Sequence, residues 1–270
     1  VTIGAVDVLS FSAFVTLTTI TAALVALPSR APLGGLARLR SPAWALVGPG
    51  SLLVGTFGVL AVPALATGLA ILAAVATPAL AAIAVVRVVR GGRRALLLVP
   101  MALGAVALTG SGAPAQLAAS LLTALGCLTV GVAIVRLTPG RWLRLGVVAM
   151  AAIDVLLIVV GIAQPTGALL YEASSGIGPV FHRAQLGAVC LDYPDLVLAA
   201  MLGGVVAGRA EQARAAVLVA ILGTASGAFF AFADKLPATV PIVLALILID
   251  WRPPLWVRPA ASLVPVGNEA

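Results

Sequence analysis

Ala151-Ala152-Ile153-Asp154-Val155-Leu156-Leu157-Ile158 and Leu191-Asp192-Tyr193-Pro194-Asp195-Leu196-Val197-Leu198 each set an aspartate inside an apolar stretch long enough to cross a bilayer. Only 9% of the residues are charged, so a carboxyl in such a stretch is costly and marks a functional position by default. Two of them in adjacent segments point to a shared task. Hydrolysis by a proton-sharing pair and movement of a cation are the two chemistries that fit.

The rest of the composition sets the class. With 62% hydrophobic residues and a mean hydropathy of +1.19, the 270 residues cannot present the polar surface of a soluble domain. The expected fold is all-α, a polytopic transmembrane helical bundle with the lipid bilayer as its solvent. The net charge of +7 comes from arginines in short runs between apolar spans, without the aromatic interleaving of a nucleic-acid face. Nucleic acid is therefore not an expected partner. Cys127 and Cys190 fall within apolar stretches without metal-ligand spacing, so neither a disulfide framework nor a metal site is expected. His182 reads as a residue of an external loop, since no second histidine stands by to build a metal site.

Spans need about 20 apolar residues, and arginine clusters, prolines and glycines cut the chain into segments of that size. About nine spans are predicted, over 4–27, 42–60, 62–86, 95–111, 114–135, 145–163, 185–207, 215–233 and 236–249. They form one integral membrane domain: a five-helix part over 1–136, the sixth and seventh helices with the aspartates over 144–207, C-terminal helices over 214–250 and a cytoplasmic tail over 251–270. Basic residues cluster at Arg30 to Arg40, Arg87 to Arg94, Arg136 to Arg144, Arg209 to Arg214 and Arg252 to Arg258, alternating with nearly uncharged connections. The positive-inside rule then puts the N-terminus outside and the C-terminus in the cytoplasm.

Under that topology the sixth and seventh helices are antiparallel neighbours. Asp154 lies ten positions after Arg144 and Asp195 ten after Gln185, which predicts roughly 15 Å of depth for both. Two carboxyls a few ångströms apart do not readily both ionise and instead share a proton. In that state one accepts a proton from an attacking water and the other stabilises the developing oxyanion, with neither metal nor cofactor required. Asp192 stands one turn from Asp195, and Pro194 between them is expected to open the helix beside it. Leu236-Pro237-Ala238-Thr239-Val240-Pro241 begins the last helix with two prolines four apart, an irregular start whose polar backbone suits an extended peptide.

An aspartate in the sixth helix, another in the seventh and a Pro-Ala-led ninth together resemble the presenilin and signal peptide peptidase family of GxGD-type intramembrane aspartyl proteases. The family's Tyr-Asp is matched by Ile153-Asp154, its Gly-x-Gly-Asp by Asp192-Tyr193-Pro194-Asp195, and its Pro-Ala-Leu by Pro237-Ala238-Thr239. The aspartates and the Pro-Ala pair are retained; Asp192 and Pro194 stand where the family has glycines. The resemblance covers the half from about Leu145 onward. It implies a hydrolase that cleaves transmembrane helices or signal-peptide remnants, with Asp154 and Asp195 catalytic, Pro237, Ala238 and Thr239 binding substrate, and Asp192, Tyr193 and Pro194 accessory. The deduced orientation is that of signal peptide peptidase. A proton- or cation-coupled transporter with the same acids, and a noncatalytic protease relative that binds helices, remain the alternatives.

Overall fold

The computed structural model describes residues 8–29, 33–89, 93–227 and 238–250. They are mostly helical. In chain order the helices are α1 (Val8–Ala26), α2 (Val47–Ala61), α3 (Ala64–Ile83), α4 (Leu98–Thr109), α5 (Gly112–Leu137), α6 (Gly140–Val159), α7 (Ala163–Ser175), α8 (Tyr193–Val206), α9 (Glu211–Gly227) and α10 (Thr239–Asp250). Short 3-10 turns precede α2 and α4, and α3 runs on as a π turn over Ala84–Val88. Between α7 and α8 lies one antiparallel hairpin, β1 (Arg183–Leu186) and β2 (Val189–Asp192), with Leu186 opposite Val189 and Arg183 opposite Asp192.

By length and composition, four helical stretches among the described residues suffice to cross a membrane: Pro42–Ala61, Ala64–Val88, Gly112–Leu137 and Gly140–Val159. They divide into two kinds. Buried residues make up 72% of the most apolar window of α5, against about a third or less in the other three. A helix apolar all round belongs in an interior, and α5 is that interior helix. The others leave Val54, Phe57, Leu65, Leu72, Val75, Leu145 and Leu156 exposed, a surface suited to lipid rather than water.

The second central helix is α8, whose residues from Pro194 to Gly203 are all buried. It is held by close backbone approach as well as by buried side chains such as Leu196, Leu198 and Leu202. A Cβ placed on Gly131 of α5 would lie 2.6 Å from the Ala200 Cβ and 2.9 Å from the Val197 carbonyl oxygen, and one on Gly203 would lie 2.6 Å from the Leu24 carbonyl oxygen of α1. Small residues let helices pack without a hydrophobic drive between them, as membrane bundles require. Gly223 and Gly227 bring α9 onto Thr18 and Phe14 of α1 in the same way.

The bundle has two chemically different ends. The C-terminus of α1 meets the start of α9, where the Gln212 amide donates to the carbonyls of Val25, Ala26 and Pro28 and accepts from the Gly208 N–H. Ser29 N–H donates to the Val88 carbonyl, Ser41 N–H to the Leu137 carbonyl, and the Arg40 guanidinium to the Thr138 carbonyl, so Arg40, Arg87, Arg136 and Arg209 gather at this end. At the other end the hairpin docks on the start of α5. Ser120 Oγ accepts from the Gln185 N–H and donates to its carbonyl, Thr123 Oγ1 donates to the Phe181 carbonyl, and the Gln116 side chain accepts from the Gly187 N–H.

Two sequence expectations are corrected here. Residues 185–192, expected as the outer part of a seventh helix, belong to the hairpin, and residues 164–175 of the expected external loop belong to α7. Gly187 explains the first. At φ 60° it takes the left-handed position of a two-residue turn, and the Gly-x pair between two short runs is a hairpin signal that apolar periodicity alone does not register.

Candidate functional site

Asp154 sits in the last third of α6, five residues before its end, and its Oδ2 accepts a 2.9 Å hydrogen bond from Thr239 Oγ1 at the first residue of α10. Asp195 sits in the first turn of α8. There it is buried at 7% exposure, and its Oδ2 accepts from the Asp192 N–H at 3.1 Å. Asp192 is the N-cap of α8 and Asp195 its third residue, a capping box that closes the corner where β2 turns into the helix. The Asp195 carboxyl lies within electrostatic range of both Asp154 and Asp192. Three elements far apart in sequence thus converge on the hairpin end of the bundle, each contributing a group singled out in the sequence.

Local sequence dictates this placement. Asp-Tyr-Pro-Asp is a helix start: aspartate caps, and proline occupies a first-turn position where its missing N–H would have no partner anyway. Pro194 is accordingly a helix initiator and not a kink, and it is buried at the corner. The expected equal mid-span depth of the two acids changes with it. Asp195 lies one turn inside its helix and Asp154 about 8 Å from the end of α6, so both stand near one end of the bundle. Asp192 and Tyr193 are exposed beside them. Ala238 is half-buried and Thr239 fully buried, whereas Pro237 lies outside the described residues.

His182 is not an open loop residue. Its Nδ1 lies 3.0 Å from Ser174 Oγ at the end of α7, and Ser174 Oγ also donates to the Leu170 carbonyl at 2.8 Å. One hydroxyl proton serves one acceptor, so the consistent arrangement has His182 Nδ1–H donating to Ser174. Burial, reinforced by the neighbouring Arg183 guanidinium, pushes the imidazole down to about 4. Arg183 itself stacks over the Tyr171 ring at 4.3 Å, a second tie between β1 and α7. A cavity of about 120 Å³ lies behind this junction, lined by Ala74, Pro78, Gly104, Ser174 and Phe181 among others; none of the acids faces it. Among the described residues no cluster of histidine, cysteine and carboxylate could hold a metal ion.

No protein-family model, curated protein or solved structure matches the chain. The site is therefore described by its own geometry: two carboxyls at the meeting of α6 and α8, one bonded by an α10 hydroxyl and one by the backbone of the hairpin exit.

Proposed function

We propose that the chain is an intramembrane aspartyl peptidase in which Asp154 and Asp195 activate a water against a peptide bond of a membrane-embedded helix. The observation that carries this is the convergence of Asp154, Asp195 and Thr239, one from each of the three segments on which the family resemblance rests. Asp154 accepts a proton from water as it attacks the scissile carbonyl while Asp195 gives its own proton to the oxyanion; as the C–N bond breaks, the proton held by Asp154 passes to the leaving amine and Asp195 takes back the one it gave. Both acids stand near one end of the bundle. That placement favours hydrolysis over ion transport, which draws on sites near the bilayer midplane.

The same proposal includes a bundle of about nine spans related in architecture to presenilin, with the arginine end cytoplasmic, the N-terminus outside and the C-terminus inside. In reconstituted vesicles the protein should cleave a reporter transmembrane helix into two fragments, and a peptide carrying a hydroxyethylene isostere should block it as an analogue of the tetrahedral state. Asp154→Asn and Asp195→Asn should each abolish cleavage in protein that still folds. Cleavage that persists in either variant sinks the proposal.

A further inference from the structure

The family resemblance implies that Thr239 contacts substrate, yet it is fully buried and its hydroxyl goes to Asp154. Its bonding differs from that of five other helical threonines and is like that of Thr123 and Thr129, whose hydroxyls also leave their own helix. Thr16, Thr19, Thr21, Thr109 and Thr166 each return their hydroxyl to the carbonyl four residues back, the default for a threonine in an apolar helix. Thr239 is the first residue of α10. Its proton is directed instead to a carboxylate on α6, 85 residues away in sequence.

The helix that carries it is firmly seated. Ile242, Ala245 and Leu246 are buried in the central apolar cluster with Leu196 and Val197 of α8. Ile242 is one turn from Thr239 and on the same face, so the hydroxyl is held by a helix that also packs against the helix of Asp195. The donated bond fixes Asp154 Oδ2 as an acceptor and limits rotation of the carboxyl about its last bond. A leucine at this place, as in the family motif, has no hydrogen to donate.

We infer that Thr239 is the positioning residue of Asp154, orienting its carboxylate toward Asp195 through the Oγ1–Oδ2 hydrogen bond, rather than a substrate contact. This rests on the peptidase assignment above. Thr239→Val keeps the shape and removes the donor; Thr239→Ser keeps the donor. In vesicle cleavage of a reporter helix, Thr239→Val should lower kcat about 10- to 100-fold with KM within about twofold, and Thr239→Ser should restore kcat to within about threefold. A raised KM with kcat intact overturns the inference, as does a valine variant that cleaves like wild type. A stability cycle of Thr239→Val, Asp154→Ala and the double variant in detergent reads the pairing without any turnover. About tenfold coupling in the unfolding constant supports the bond, and additive effects refute it. Wild-type protein that cleaves nothing defeats the peptidase assignment separately, and the cycle then decides the Thr239–Asp154 pairing.

Discussion

Replacing Gly131 with alanine should loosen the helix that carries Asp195, while the same replacement at Gly55 should tighten the protein. At Gly131 the new Cβ meets the Ala200 Cβ at 2.6 Å, the Met201 nitrogen at 2.9 Å and the Val197 carbonyl oxygen at 2.9 Å. Carbon atoms settle at about 3.5–4.0 Å, so α5 and α8 must part by roughly 1 Å. Two of the three neighbours are backbone atoms, which no rotamer change can remove. Overpacking of this kind costs about 1–3 kcal/mol, set against up to about 1 kcal/mol gained in helix propensity. At Gly55, in the middle of α2, nothing lies within 4 Å of the added methyl, so only the gain of about 0.5–1 kcal/mol remains. Denaturation in detergent should place the two variants on opposite sides of wild type, separated by about 2 kcal/mol. Because Asp195 rides on α8, Gly131→Ala should also slow cleavage and Gly55→Ala should not. Equal effects of the two substitutions would refute the close α5–α8 crossing as the device that seats Asp195.

Other consequences are equally open to measurement. His182 is held neutral in the fold down to about 4, whereas an unfolded histidine takes up a proton near 6.5. The unfolded chain therefore binds more protons between those values, and stability should fall as pH drops from 6.5 to about 4, by up to about 3 kcal/mol, and level off below; His182→Gln should remove that part of the slope. Gln212→Ala strips the amide that serves three carbonyls at the end of α1 and one N–H, and should cost about 2–4 kcal/mol in a denaturant titration; a loss under about 0.5 kcal/mol would deny it that capping role. Asp192→Asn keeps a side chain able to cap α8 and leaves its backbone N–H on Asp195, so cleavage should fall less than in Asp154→Asn or Asp195→Asn. Comparable loss in all three would contradict it.

Much of the helical framework was legible because apolar runs of spanning length, cut by arginines, leave little else to build. The predicted segments at 42–60, 95–111 and 114–135 correspond to helical stretches at Pro42–Ala61, Arg94–Thr109 and Gly112–Leu137. The hairpin was not legible from hydropathy, since Val189, Cys190 and Leu191 continue an apolar run into α8; only Gly187 and the Asp192–Asp195 box mark the change of structure. Apolar period and depth put Asp195 at mid-helix, whereas capping chemistry puts it in the first turn. Thr239 was marked as part of a motif, but its bond to Asp154 depends on how α10 meets α6, a tertiary fact that no local pattern encodes.

The central claim is that Asp154 and Asp195 act as one catalytic unit, and the rate of reporter cleavage in both single asparagine variants and the double variant tests it most directly. Groups that work as a unit are not additive, so removing either should cost as much as removing both. The expected result is three indistinguishable residual rates, each at least about 1,000-fold below wild type. Losses that multiply in the double variant, or one single variant that keeps its rate, would contradict the account.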